Sequence, residues 1–338
     1  MLEKPDLPDE AIISRLDEEY NLRVAELIFL PLGADLGTAV YRVVTTDGTA
    51  YFLKLRKGFE EITVTVPLFL QSLGLQEIII PFETQSKQRW VDFGEYKMIL
   101  YPFIEGKNGF EMELTDDHKY KLGSVLKAIH SAPVPPELKR HVPKEAFSPQ
   151  WRDSVRSLQA HAETMSFQDP PAAKLAMFMK SKRSDISHLI QRTEELASEL
   201  QAKPLELVLC HTDIHGANML ITRENALYIV DWDNPLLAPK ERDLMFIGGG
   251  IDTIWQSERD EAIFYDGYGK TELNLKTLAF YRYERIIEDL AAYGEQLLLT
   301  DEGGTDREPA YRRFRINFEP GSTIEIAEKT DQLLKTAY

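Results

Sequence analysis

The sequence predicts an α+β protein of two lobes, a small antiparallel-sheet lobe at the N-terminus and a larger, mainly helical lobe after it. Short apolar runs separated by glycine-bearing turns fill residues 24–55, and a further run lies at 96–104. From residue 115 onward, apolar residues recur at helical spacing. One polar knot between short strands, at 205–233, interrupts those helices. A chain of 338 residues gives each lobe enough length to bury a core. The boundary falls at about residue 104, dividing 1–104 from 105–338.

Residues 9–20 read as an opening amphipathic helix, with Ile12, Ile13, Leu16 and Tyr20 on one side. Val24–Leu30 is a strand, and Pro31 to Gly37 a turn containing Gly33 and Gly37. Ala39–Thr45 forms the next strand, and an Asp47-Gly48 turn leads into Ala50–Leu55. Glycines let backbone N–H groups approach a phosphate without Cβ interference, although this loop lacks a full G-x-G-x-x-G pattern. On the third strand Phe52 and Lys54 share one face and Leu53 and Leu55 the other, so the aliphatic stem of Lys54 lies along apolar surface. A helix follows and ends at Gly74, with a weak start at Val64, Thr65, Val66 and Pro67. Glu77–Pro81 begins another strand. Residues 96–104, YKMILYPFI, give the last strand of the lobe and a linker, with Pro102 ending the strand.

In the second lobe Thr115 is the N-cap of a helix over 116–131, where Leu122, Val125, Leu126 and Ile129 share a face. Pro133, Pro135, Pro136 and Pro143 mark a loop. Trp151 opens another helix, and 172–200 give one or two more. Asp243 heads a helix that Gly248–Gly250 breaks, and Ser257-Glu258-Arg259-Asp260 has the form of a capping box. Residues 274–299 make a long amphipathic helix carrying Tyr281, Glu284, Arg285, Glu288 and Asp289, whose acids face solvent or line a substrate cleft.

Composition narrows the function classes. A net charge of −16, from 39 basic and 55 acidic residues, disfavours nucleic acid and anionic membranes and would concentrate a small cationic molecule. The single cysteine, Cys210, excludes an intramolecular disulfide and sits in the apolar run LVLC as a small hydrophobe. No run approaches transmembrane length and the N-terminus has no apolar signal core, so a cytoplasmic protein is expected.

The knot carries the chemistry. Leu207–Cys210 reads as a strand, His211–Asn218 as a tight loop, and Met219–Ile221 with Leu227–Val230 as a hairpin turning at Arg223-Glu224-Asn225. This holds Asp213, Asn218 and Asp231 on a loop and an adjacent strand end, and their oxygens suit a hard cation such as Mg²⁺. A carboxylate beside such a site can hold a hydroxyl in line with a phosphate. His211, Asp213 and His215 also form an H-x-D-x-H triplet of metal-ligand types, but the other five histidines precede this stretch at isolated positions and complete no shell.

HTDIHGAN followed by IVDWD resembles the catalytic loop and metal-binding segment of the aminoglycoside phosphotransferases and related small-molecule kinases, which have a bilobal protein-kinase-like fold. The resemblance implies ATP and Mg²⁺, with Asp213 as the catalytic base, Asn218 and Asp231 as metal ligands, and His211 packed under the loop. It implies that Lys54 contacts the nucleotide phosphates and pairs with a helix glutamate, Glu61 or alternatively Glu60. Gly33 and Gly37 then face the phosphates, Tyr101 and Phe103 offer backbone contacts to adenine, and Asp243 supports the loop backbone. The core segment is shared with choline, ethanolamine and sugar kinases, so it defines the chemistry and leaves the acceptor open. YPFIEGKNGF and WDNPLLAPKERDLMFIGGG resemble the branch that phosphorylates spectinomycin, a cationic aminocyclitol. Asp233, Glu284 and Glu288 are the candidate contacts for such a substrate. A nucleotide-binding pseudokinase is the reading of another class, and the intact set Lys54, Asp213, Asn218 and Asp231 argues against it.

Overall fold

Alternation along three strands decides where the first unit places its polar groups. The computed structural model describes residues 4–33, 37–251, 254–255 and 257–336, so Ala34–Leu36 of the expected glycine turn lie outside the described residues. The chain forms two compact units. The first takes the chain up to Met112 together with Val134–His141 and Ala217–Pro235; the second takes Glu113–Pro133, Val142–Gly216 and the chain from Leu236 onward.

In the first unit, strands Val24–Leu30, Thr38–Thr45, Ala50–Arg56, Tyr96–Pro102 and Val91–Phe93 lie side by side in that order as a five-stranded antiparallel sheet. One face buries Tyr41, Val43, Leu53, Leu55, Met98 and Leu100 against Ile12 and Leu16 of the Asp9–Tyr20 helix. Period two then puts Phe52, Lys54 and Arg56 on the opposite face, where Val40 and Ile99 flank Lys54 in register. The next helix spans Ile62–Ser72 with Pro67 inside it, and forms because Ile62, Val64, Val66 and Leu70 are buried. Packing outweighs poor propensity here.

Three local expectations change. Glu77–Pro81 is not a strand; it gives a single bridge, Ile78 to Ile229, with Ile229 N–H donating to the Glu77 carbonyl at 2.9 Å. Gly106–Asn108 is a strand, pairing with Met219–Thr222, which pairs in turn with Leu227–Ile229. The proline-rich loop contains a short helix, Pro136–His141, whose first residue is a proline that needs no N–H partner there.

The second unit is helical around Leu275–Leu298, which buries Phe280, Tyr283, Ile286, Ile287 and Leu290. Helices Gln150–Thr164, Pro170–Ser181, Arg183–Gln201, Arg307–Ile316 and Thr323–Thr336 surround it. Strands Val208–Cys210 and Leu236–Ala238 pair antiparallel and bracket the knot. Thr115 caps the Asp116–His130 helix as expected, its hydroxyl accepting from His118 N–H. Among the described residues no helix is long and apolar enough to cross a membrane.

Asp116–His130 packs against Glu258–Tyr268 through two glycines. A Cβ at Gly123 would run into the Phe264 carbonyl oxygen, and one at Gly267 into the Tyr120 carbonyl. Backbone cannot yield as a side chain can. Gly123→Ala should therefore destabilise the protein by about 1–3 kcal/mol. Thermal or urea unfolding checks this, and an unchanged midpoint would refute the close packing.

Candidate active site

Asp243 organises the loop in the second unit. Its buried carboxylate accepts from the backbone N–H of His211 at 2.9 Å and of Thr212 at 2.6 Å, and His130 Nε2 lies 3.0 Å from Oδ2. His130 Nδ1 is in turn 2.7 Å from the Tyr268 hydroxyl. Burial disfavours the Asp243 charge, but His130, and after it His211 with its backbone N–H, outweigh it and hold the carboxyl below its ordinary range. These bonds keep Thr212 at φ 79°, a conformation that costs a β-branched residue. The turn delivers Asp213 to a partly open position.

The Asp213 side chain is 34% exposed; Arg285 Nη1 reaches Oδ1 at 2.9 Å and His215 Nε2 lies 3.2 Å from Oδ2. Burial pushes this carboxyl up, but His215, Arg285 and His211 pull harder, leaving it well below the usual carboxylate range. His211, Asp213 and His215 do not form a metal cluster. Among the described residues the group with ligand spacing is His130, Cys210 and Asp243. There Asp243 already accepts from three groups, and burial pushes the Cys210 thiol far up, so this group is the floor of the loop.

The chain enters the first unit at Ala217. Val230 N–H donates to the Asn218 carbonyl at 3.0 Å, directly beyond the Met219–Ile229 pair, so Asn218 and Asp231 sit at one end of the hairpin. Asp231 has φ 67°, in the left-handed region like Thr212 and Asn225 before it in the knot. Lys54 Nζ lies 2.8 Å from Asp231 Oδ1 and 2.7 Å from both oxygens of Asp233, and Arg56 also pairs with Asp233. Two strand cations thus meet two hairpin carboxylates. The Tyr101 hydroxyl beside them is pushed up to about 12, chiefly by burial, with Lys54 and Arg56 pulling down and Asp231 pushing up. Two adjacent oxygen-bearing side chains, Asn218 and Asp231, are a donor set that fits Mg²⁺.

Other expected residues fall differently. Lys54 does not pair with Glu61, which is the N-cap of the Ile62–Ser72 helix and whose carbonyl accepts from Val64 and Thr65; Asp231 and Asp233 take the lysine instead. Glu60 is exposed. Asp233, expected as a substrate contact, is the shared partner of Lys54 and Arg56. Glu284 is not on a solvated stripe: it is 7% exposed and bonded to Arg152 Nη1 at 2.6 Å. Glu288 is half-buried, 3.5 Å from Arg242. Gly33 has φ 84°, and the Gly37 carbonyl accepts from Lys57 N–H. Phe103 lies under the Arg42 guanidinium at 4.9 Å, and Tyr101 pairs with Phe52 in the sheet. Sequence reasoning missed Arg56 and Arg285. Period two from Lys54 could have found the first; nothing local marks the second.

The profile of the phosphotransferase enzyme family (APH) matches residues 29–281. The chain belongs to this family. It is a phosphotransferase whose acceptor is a hydroxyl group. The solved structure of spectinomycin phosphotransferase, APH(9)-Ia, in complex with ADP and spectinomycin is 35% identical and covers 97% of this chain and 100% of its own, with a TM-score of 0.90. The AMP-bound complex of that enzyme matches at 35% identity over 96% of this chain and 99% of its own, with a TM-score of 0.84. Choline kinase LicA from Streptococcus pneumoniae shares the fold, at 14% identity and a TM-score of 0.61 over 95% of this chain and 99% of its own.

The Glu284–Arg152 pair gives a stability signature. Burial pushes the Glu284 carboxyl up to about 7 against the pull of Arg152. A carboxyl with a raised folded pKa stabilises the fold most below its ordinary value of 4.5 and loses that contribution as pH rises towards 7. Glu284→Gln should remove a pH-dependent loss on the order of 3 kcal/mol between pH 4.5 and 7.5. Parallel Tm-against-pH curves for variant and parent would refute the shift.

Proposed function

We propose that this protein transfers the γ-phosphoryl group of ATP to a hydroxyl of spectinomycin or a closely similar aminocyclitol, inactivating the antibiotic. One observation carries the chemistry: Lys54 and the hairpin carboxylates Asp231 and Asp233 converge within 3 Å, a charge arrangement built to receive a polyphosphate and its cation. The acceptor assignment is supported by 35% identity, over nearly the whole of both chains, to an enzyme solved with ADP and spectinomycin. The net charge of −16 agrees with a cationic acceptor. A cytoplasmic location goes with this reading, since ATP is the donor.

On this reading the first unit supplies the nucleotide groups. Lys54 binds phosphate oxygens, Gly33 and Gly37 border the phosphate loop, and the Tyr101–Phe103 backbone receives the adenine. Asn218 and Asp231 would hold Mg²⁺, which when bound neutralises phosphate charge. The second unit supplies the acceptor group: Asp213 accepts a hydrogen bond from the substrate hydroxyl and aims its oxygen at the γ-phosphorus. The new O–P bond forms as the bond from the γ-phosphorus to the ADP oxygen breaks, and the hydroxyl proton passes to solvent. His211 and Asp243 act by holding the loop.

Asp213→Asn keeps the shape but turns part of the acceptor into a donor. It should lower kcat about 10²–10⁴-fold with ATP affinity nearly intact; near-normal turnover would end the assignment. Asp231→Ala should abolish Mg·ATP binding measured by calorimetry while leaving the metal-free signal weak and unchanged. Both are read in an ATP-consumption screen of spectinomycin, aminoglycosides, choline and methylthioribose, with the phosphorylated product identified by mass. Turnover of choline or methylthioribose in preference to spectinomycin would overturn the acceptor assignment.

A further inference from the structure

The Leu275–Leu298 helix projects one charged side chain onto the proposed base. Arg285 Nη1 is 2.9 Å from Asp213 Oδ1, its Nε is 3.3 Å from Asp289 Oδ1 one turn further along, and its guanidinium lies 5.8 Å from the centre of the Phe246 ring. The planar guanidinium thus lies between the Asp289 and Asp213 carboxylates and over the Phe246 ring. The second oxygen of Asp213 takes His215, whose ring also packs on Phe246.

We propose that Arg285 is a positioning residue for phosphoryl transfer: it aims the Asp213 carboxylate, so that Asp213 orients the acceptor hydroxyl. The inference rests on the function proposed above. Two structural facts separate it from simple loop anchoring. The loop backbone is already held by Asp243 through His211 and Thr212, so Arg285 is not needed for that. Arg285 and His215 contact different oxygens of the Asp213 carboxylate, a side chain that stays 34% exposed. A weakly basic but well-aimed carboxylate suits a loose phosphoryl transfer, in which the hydroxyl proton leaves late.

Other charges confirm the direction. Burial alone would lower the Arg285 guanidinium, but Asp289, Asp213 and Glu288 raise it above its usual range, with Tyr293 adding to them. Asp289 is itself raised, by burial first, then by Glu288 and Asp213 against the pull of Arg285 and His215. Arg285 therefore stays a cation at every working pH. The groups facing Asp213 are Arg285, His215 and His211.

The test uses the full chain with Arg285→Gln and Arg285→Lys. In protein labelled at the aspartate carboxyl carbon, the Asp213 resonance is identified by its loss in Asp213→Asn, and its pH titration is followed without substrate. In the Gln variant the titration midpoint should rise by about one unit or more; the Lys variant, with one compact charge, should move less in the same direction. With ATP and spectinomycin, Arg285→Gln should lower kcat about 10–100-fold and leave KM for ATP within about twofold. Arg285→Lys should recover much of both effects. An unmoved Asp213 titration overturns the proposal, and so do equal kcat losses in both variants. If Arg285→Gln does not fold, the Lys variant alone decides by the sign of its titration shift. If the parent phosphorylates none of the acceptors, the proposed function fails, while the carboxyl titration still decides the role of Arg285.

Discussion

The structure of the second unit's loop depends on a charge that cannot reach water. Asp243 is fully buried, and a buried carboxylate survives only when donors satisfy it. Here the donors are two consecutive backbone N–H groups and a histidine that is itself fixed by Tyr268. The same bonds that keep Asp243 anionic therefore force Thr212 into the left-handed region, and that turn sets where Asp213 goes. Replacing Asp243 by a neutral residue would leave three donors short and release the strain together. The helix pair locked by Gly123 and Gly267 reaches into the same network, because His130 ends one helix and Tyr268 the other.

The first unit follows a different logic. Its strand cations are exposed to opposite charge that the hairpin delivers, and the cluster of Lys54, Arg56, Asp231 and Asp233 is close to neutral as it stands. Period two on the Ala50–Arg56 strand makes Lys54 and Arg56 neighbours. The Asn218–Val230 bond and the left-handed Asp231 then bend the hairpin end so that its second carboxylate, Asp233, also turns toward the strand. The cluster thus holds both signs of charge on neighbouring side chains.

How much of this was legible in the sequence follows from range. The strand–loop–hairpin pattern around Asp213, Asn218 and Asp231 is local, and it formed as read. The sheet face of Lys54 follows from alternation alone. Strand Gly106–Asn108 was hidden because it is short, starts with glycine and finds its partner more than a hundred residues away. The Lys54–Glu61 pair failed for a related reason. Glu61 sits at the N-cap of its helix, while Asp231 and Asp233 reach the lysine through a hairpin that sequence distance gives no reason to connect to it. Arg285 is the extreme case: on the helix it is one charge in a stripe, and only the packing of that helix under the loop sets it against Asp213.

That packing also changes what the acidity of the chain means. The carboxylates of the long helix look like a solvated or substrate-facing stripe, yet three of them are matched to arginines: Glu284 to Arg152, Glu288 to Arg242 and Asp289 to Arg285. Charges so paired contribute little field at a distance, because each dipole falls off faster than a lone charge. The net charge of −16 is therefore felt at a distance mainly through carboxylates outside this paired set, and that field is screened by salt. The paired interior set acts on geometry. It sets Arg285 beside Asp289 and, through Arg285, bears on how the Asp213 carboxylate is aimed.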